Sequence, residues 1–85
     1  MPTISYFLGI VIQMQYNDHE PPHFHAVYGG ERVMVFIDPP RVRGKIPAAT
    51  RAKVIQWTKL RCDELLENWQ RARDRKRLYA VAPLE

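Results

Sequence analysis

This sequence of 85 residues has a single cysteine, Cys62, and no long apolar run. One cysteine excludes an internal disulfide and predicts a reducing compartment. A membrane-spanning helix needs about 20 consecutive apolar residues, so the sequence predicts no membrane span. The N-terminal segment lacks a basic stretch followed by an apolar core, which argues against a secretory signal. A cytoplasmic protein is therefore expected.

Several catalytic motifs are absent as well. The four glycines form no phosphate-binding loop, and Gly29-Gly30 is typical of a two-residue hairpin turn. No Ser-His-Asp or Cys-His arrangement is supported, because Cys62 falls in the apolar stripe of a predicted helix and is better explained as a core residue.

The charge of the chain is unevenly distributed. Residues 1–40 contain one base and four acids, whereas residues 41–85 contain twelve bases and five acids. The basic half predicts contact with an acidic partner protein or a phosphate backbone, and a solvated helix with a basic tail is the alternative. A chain of this length predicts one domain, 1–85, whose small core gains stability from a partner or from self-association.

Hydrophobic periodicity predicts strands in the first half of the chain, over about residues 4–46. Alternation over residues 10–16 predicts a half-buried strand, and residues 4–8 are expected to lead into it as a shorter extended piece. Two further strands are predicted over residues 23–28 and 32–37, and a short edge strand over residues 41–46.

From about residue 47 to residue 73 the period changes to 3.6, which predicts one long amphipathic helix. Its apolar face consists of Val54, Ile55, Thr58, Cys62, Leu65, Leu66, Trp69 and Ala72. Trp57 lies at the edge of this face and is a candidate anchor for a partner, with packing in the core as the alternative. Residues 74–85 are expected to form an extended tail that docks on the sheet. The predicted fold is α+β, a small antiparallel meander of three to four strands packed against one long C-terminal helix.

The most unusual segment is NDHEPPHFHA, residues 17–26, which contains all three histidines, two acids and a Pro-Pro pair. Two strand residues separated by one point to the same face, so His23 and His25 are expected to be neighbours, with Phe24 facing the other side. One interpretation is a metal site with His23 and His25 as two ligands and His19 or a nearby carboxylate as a third, and a divalent transition metal as the cofactor. Another is structural, with the side chains bonding backbone groups that the prolines leave unpaired.

General acid–base chemistry is the third interpretation, because histidine titrates near neutrality and a nearby carboxylate can orient it. The candidate catalytic residues are His19, His23, His25 and Glu20. A metal-free ribonuclease mechanism also needs bases that hold phosphate. The candidate residues for binding a nucleic acid or an acidic partner are Arg41, Arg43, Lys45, Arg71, Arg73 and Arg75.

The chain also resembles a known family. The resemblance rests on PTIS at residues 2–5, GIVI at residues 9–12, NDHEPPHFHA at residues 17–26, Gly44-Lys45 before a proline, and DELLENW at residues 63–69. These segments are similar to the short bacterial proteins known as domain of unknown function 4160. The family name states no activity.

Members of that family are often encoded beside another small protein, in an arrangement that resembles a toxin–antitoxin operon. The resemblance therefore implies a toxin-like protein with a small antitoxin-like partner, and its target is expected to be RNA or a component of translation. The alternatives are a non-enzymatic protein-binding module and a small histidine-based metal-binding protein. No cofactor is required by the sequence itself.

Overall fold

The computed structural model of this protein describes residues 2–85. The first half is a five-stranded antiparallel sheet in which sequential strands are neighbours, and it is formed by β1 (Thr3–Phe7), β2 (Ile10–Gln13), β3 (His23–Tyr28), β4 (Glu31–Phe36) and β5 (Arg41–Arg43). The second half contains the helices α1 (Ala48–Leu60) and α2 (Cys62–Arg73). The α+β class and the antiparallel meander are confirmed. Within the described residues, neither helix is long and apolar enough to cross a membrane.

The predicted number of strands, three to four, is too low because residues 3–7 form a complete strand. β1 pairs with β2 along its length, but the register shifts between Thr3 and Ser5. This irregularity leaves Ile4 and Ser5 both buried. A shift of this kind removes the alternation by which a strand is recognised in a sequence. β2 also ends at Gln13 and does not continue to residue 16.

The single long helix that was predicted is two helices, which meet at Arg61 (φ −108°, ψ 20°). Neither proline nor glycine occurs at this position. The hydroxyl of Thr58 donates a hydrogen bond of 2.7 Å to the carbonyl oxygen of Val54. Such a bond to the residue four positions earlier often bends a helix, and it provides a physical reason for the break.

Both helices pack on one face of the sheet, which we call the core face. Its sheet residues include Ile10, Ile12, Phe24, Ala26, Val33 and Val35, and the helices contribute Val54, Trp57, Leu65 and Ala72. Trp57 is fully buried, and its ring centroid lies 5.1 Å from that of Phe7 and 5.7 Å from that of Phe24. The suggestion that Trp57 anchors a partner is therefore wrong, and the alternative of core packing is correct.

The C-terminal tail docks beside β1, as the sequence predicts. The N–H of Val81 donates to the carbonyl oxygen of Ile4 at 2.8 Å. Asn68 of α2 fixes the same segment through two hydrogen bonds: its side-chain amide donates to the carbonyl of Tyr79 (2.8 Å) and its side-chain oxygen accepts from the N–H of Tyr79 (2.9 Å). The tail thus covers the outer edge of β1.

Candidate functional site

The segment between β2 and β3, residues 14–22, is held by the last turn of α2. The N–H of Asn17 donates to the carbonyl oxygen of Ala72 at 3.2 Å. The guanidinium of Arg73 donates to the carboxylate of Glu20 at 2.6 Å. Asn17 has a φ of 54°, in the left-handed region that asparagine tolerates better than most residues. We call residues 17–26 the histidine segment. The contacts with α2 hold its first residues against the end of the sheet.

His23, the first residue of β3, is buried, with 3% of its surface exposed. Its Nδ1 atom lies 2.8 Å from the carbonyl oxygen of Pro21, and its Nε2 atom lies 2.8 Å from Oδ2 of Asp18. Both partners are acceptors, so both bonds form when each ring nitrogen carries a hydrogen. The ring also packs against Trp69, with centroids 5.1 Å apart. His23 is therefore engaged on both nitrogens and on its face.

The Asp18 carboxylate joins two histidines. Its Oδ1 atom accepts the backbone N–H of His19 at 2.9 Å and lies 3.1 Å from Nδ1 of the same residue. Burial alone would raise the pKa of Asp18, but hydrogen bonds from His19 and His23 and the positive charge of both rings outweigh it. The pKa therefore lies below its ordinary value of 3.8, and Asp18 is ionised at neutral pH. The His19 side chain itself is 91% exposed.

His25 lies beside His23 on the side of β3 opposite Phe24 and Ala26, and we call this face of the sheet the outer face. His23 stands at the end of the strand, where its ring also reaches Trp69 of α2. The two rings are nearly perpendicular, and their centroids are 5.5 Å apart. Burial lowers the pKa of His25 below its ordinary value of 6.5, the charges of Arg32 and His23 add to this effect, and Asp18 opposes it. Its buried Nδ1 atom has no hydrogen-bond partner among residues 2–85. His25 is thus neutral at pH 7.

A pocket of about 360 Å³ lies between the histidine segment and β5. It is lined by His19, Glu20, Pro21, His23, Met34, Phe36, Arg41 and Arg43, and we call it the histidine–arginine pocket. The guanidinium carbons of Arg41 and Arg43 lie 4.9 Å and 5.8 Å from the centroid of the Phe36 ring. The pocket therefore combines two exposed cations, an aromatic floor and an exposed imidazole.

A family model described as domain of unknown function (DUF4160) matches residues 9–70. The match covers more than half of the chain. The protein belongs to the DUF4160 family. No curated protein and no solved structure matches the chain. The DUF4160 match includes the complete histidine segment and all of β5, so both walls of the pocket lie within the family's region.

Six basic residues were predicted to bind a nucleic acid or an acidic partner. Arg41 and Arg43 line the histidine–arginine pocket, and the other four do not. Arg71 donates to a carbonyl oxygen of the C-terminal tail. Arg73 is paired with Glu20, which was predicted as a catalytic residue. Lys45 and Arg75 are exposed outside the pocket.

Sequence reasoning missed Met34, Phe36 and Trp69 as parts of the site. Phe36 pairs with His23 and Met34 pairs with His25 across β3 and β4. Their even spacing in β4 showed that they share a face, but the register that brings them to the histidines is a property of the pairing and is absent from either strand alone.

The metal interpretation stays a prediction. No group of three or more His, Cys, Asp and Glu side chains is placed to hold a metal ion within the described part of the chain. Binding of a metal to Nε2 of His23 would also displace the Asp18 carboxylate from its hydrogen bond of 2.8 Å.

Proposed function

We propose that this protein binds RNA in the histidine–arginine pocket and acts in the cytoplasm as the toxin-like member of a two-gene system. The observation that carries the proposal is the convergence of two segments that are distant in sequence. The loop residue His19 and the β5 residues Arg41 and Arg43 line one pocket. A site for RNA requires this combination of fixed positive charge and groups that contact the nucleotide.

The cations of the pocket fit a phosphate backbone. Arg41 and Arg43 are separated by one residue in β5, so their side chains leave the same face of the strand, and both are exposed. Guanidinium groups bind phosphate oxygens through paired N–H donors, and their planes also stack on bases. Phe36 beneath them restricts both side chains, which reduces the entropy lost when RNA binds.

Within this proposal, His19 is the acid–base group of the pocket and His23 is a positioning residue. Nδ1 of His19 lies 3.1 Å from Oδ1 of Asp18, and the side chain is 91% exposed, so Nε2 is the atom proposed to exchange a proton with RNA. His23 has no comparable free nitrogen, because Pro21 and Asp18 occupy both. His23 instead holds the Asp18 carboxylate in place.

The test is the binding of a fluorescein-labelled single-stranded RNA of about 12 nucleotides, followed by fluorescence anisotropy. An Arg41→Ala/Arg43→Ala variant is expected to bind at least about tenfold more weakly and to show a shallower dependence on salt. The matched control is Lys53→Ala/Lys59→Ala on α1, which removes the same charge from two exposed positions. Equal weakening in both variants would indicate attraction by net charge alone and would contradict the pocket.

A further inference from the structure

Besides the pocket, the outer face of the sheet has a row of three apolar side chains that ends at an arginine. Tyr6 pairs with Val11, Val11 pairs with Val27, and Val27 pairs with Arg32, so these four residues cross four strands in one line. Tyr6 is 63% exposed, and both valines are partly exposed. We call these four residues the outer-face row. The core face, by contrast, is packed against both helices.

The charged strand residues on the outer face are all arginines. Arg32 ends the outer-face row, and Arg43 and Arg41 stand opposite Met34 and Phe36 in the adjacent rows. Among the strand residues of the described chain the only acid is Glu31, which shares the core-face side of β4 with Val33. The outer face therefore has an apolar line of Tyr6, Val11 and Val27 and, beyond it, a cationic side at β4 and β5.

This arrangement of apolar and cationic side chains favours one kind of binding partner over the others. A second copy of the chain would bring the same arginines to the contact. The nearest carboxylates are already engaged, Glu20 with Arg73 and Asp18 with His23, so this contact costs free energy through repulsion. Single-stranded RNA stacks its bases on aromatic rings, whereas the centre of the row consists of the aliphatic Val11 and Val27. A protein segment with apolar and acidic side chains complements both halves of the face.

We propose that the outer-face row docks an acidic amphipathic helix of a partner protein. Its apolar stripe covers Tyr6, Val11 and Val27, and its carboxylates face the arginines of β5, of which Arg43 is the nearer to the row. A helix fits better than an extended segment, because it satisfies its own backbone hydrogen bonds and needs no open sheet edge. The edge at β1 is already paired with the tail through Val81 and Ile4.

The experiment uses the full chain, labelled with ¹⁵N, and a synthetic helical peptide of about 16 residues that has leucines at positions i, i+3, i+4 and i+7 and glutamates on the flanks. A second peptide carries lysine in place of each glutamate. The acidic peptide is expected to shift the backbone amides of β1, β2 and β3 on the row and to bind at least about tenfold more tightly than the basic peptide. Equal affinity of the two peptides, or shifts confined to α1, would overturn the proposal.

Two variants of matched exposure locate the contact. Tyr6→Glu places a like charge at the row and is expected to weaken binding of the acidic peptide by at least about tenfold. Leu60→Glu on α1, where the leucine is 61% exposed, makes the same change elsewhere and is expected to leave binding unchanged. Equal effects of the two variants would overturn the proposal.

Two other partners for the outer-face row, a second copy of the chain and single-stranded RNA, would give different amide shifts. Shifts of the same amides with protein concentration alone would assign the face to self-association. A response of the row to single-stranded RNA with none to the acidic peptide would assign it to nucleic acid. Either result overturns the proposal and leaves the RNA-binding pocket, which is tested with Arg41 and Arg43, as a separate question.

Discussion

The Nε2 atom of His23 lies 2.8 Å from Oδ2 of Asp18, in a site where the histidine is almost completely buried. This bond joins the first residue of β3 to the segment that precedes it. Because the other oxygen of Asp18 holds His19, one carboxylate connects a buried imidazole to an exposed one. The histidines of the sequence motif thus differ in their surroundings: both ring nitrogens of His23 are engaged, and His19 is exposed at the pocket.

Replacement of His23 by alanine is expected to lower the free energy of unfolding by about 2–4 kcal/mol, because it leaves Asp18 without its buried partner and opens a cavity against Trp69. Urea denaturation measures this difference. His19→Ala in the same segment is the control, and its denaturation midpoint is expected to stay close to that of the wild type because the side chain is exposed. Similar midpoints for His23→Ala and the wild type would contradict a structural role.

His25 is expected to make the stability of the protein depend on pH. Its folded-state pKa lies below the ordinary value of 6.5, so the unfolded chain takes up a proton at a higher pH than the folded chain does. The stabilising contribution is complete above pH 6.5 and is lost as the pH falls through the folded pKa. Urea denaturation from about pH 7.5 to about pH 5 measures this loss, which is expected to be absent in His25→Gln. If the free energy of unfolding fell equally with pH in the wild type and in His25→Gln, the proposed contribution of His25 would be contradicted.

Asn68 is expected to hold the C-terminal tail. Its replacement by alanine removes two hydrogen bonds to Tyr79 and is expected to destabilise the protein by about 2–3 kcal/mol. Trypsin should also cleave the released tail after Arg77 faster than in the wild type, as followed by mass spectrometry. Gln70→Ala on the exposed side of α2 serves as the control. A tail that stays equally protected in both variants would show that Asn68 does not fix it.

The sequence predicted the strand at residues 23–28 with its correct bounds, because Pro22 and Gly29 interrupt the pattern on either side. Asn68 shows where such reasoning ends. Its polar side chain is completely buried, and its partner is eleven residues away in a tail that has no periodic pattern. Local periodicity contains no information about such a bond.

The pocket was predictable only in part. Residues two positions apart in a strand point to the same side. The sequence therefore predicted that Arg41 and Arg43 share one side of β5, and that His23 and His25 share one side of β3. That these two sides are the same face depends on the registers of β3 with β4 and of β4 with β5. Register is determined by pairing across strands and by the turns between them, so the convergence emerges only in the folded sheet.

His19→Ala is expected to separate RNA cleavage from RNA binding. Arg41 and Arg43 remain, so the affinity for labelled single-stranded RNA should change by less than about threefold. Cleavage, followed on a denaturing gel, is expected to fall by at least about 100-fold, because the exposed imidazole is the proposed acid–base group. Glu64→Ala, an exposed position on α2, is the control. Cleavage that persists at the wild-type rate in His19→Ala would remove His19 from the mechanism.

The most direct test of the proposed function is growth of a bacterial host after induced expression of three proteins: the wild type, Arg41→Ala/Arg43→Ala, and Lys53→Ala/Lys59→Ala. Circular dichroism first establishes that the variants are folded. The expected result is growth arrest by the wild type and by the α1 variant, with growth restored by the pocket variant. Normal growth with all three proteins, or arrest by the pocket variant as strong as that by the wild type, would contradict a toxin-like action through the histidine–arginine pocket.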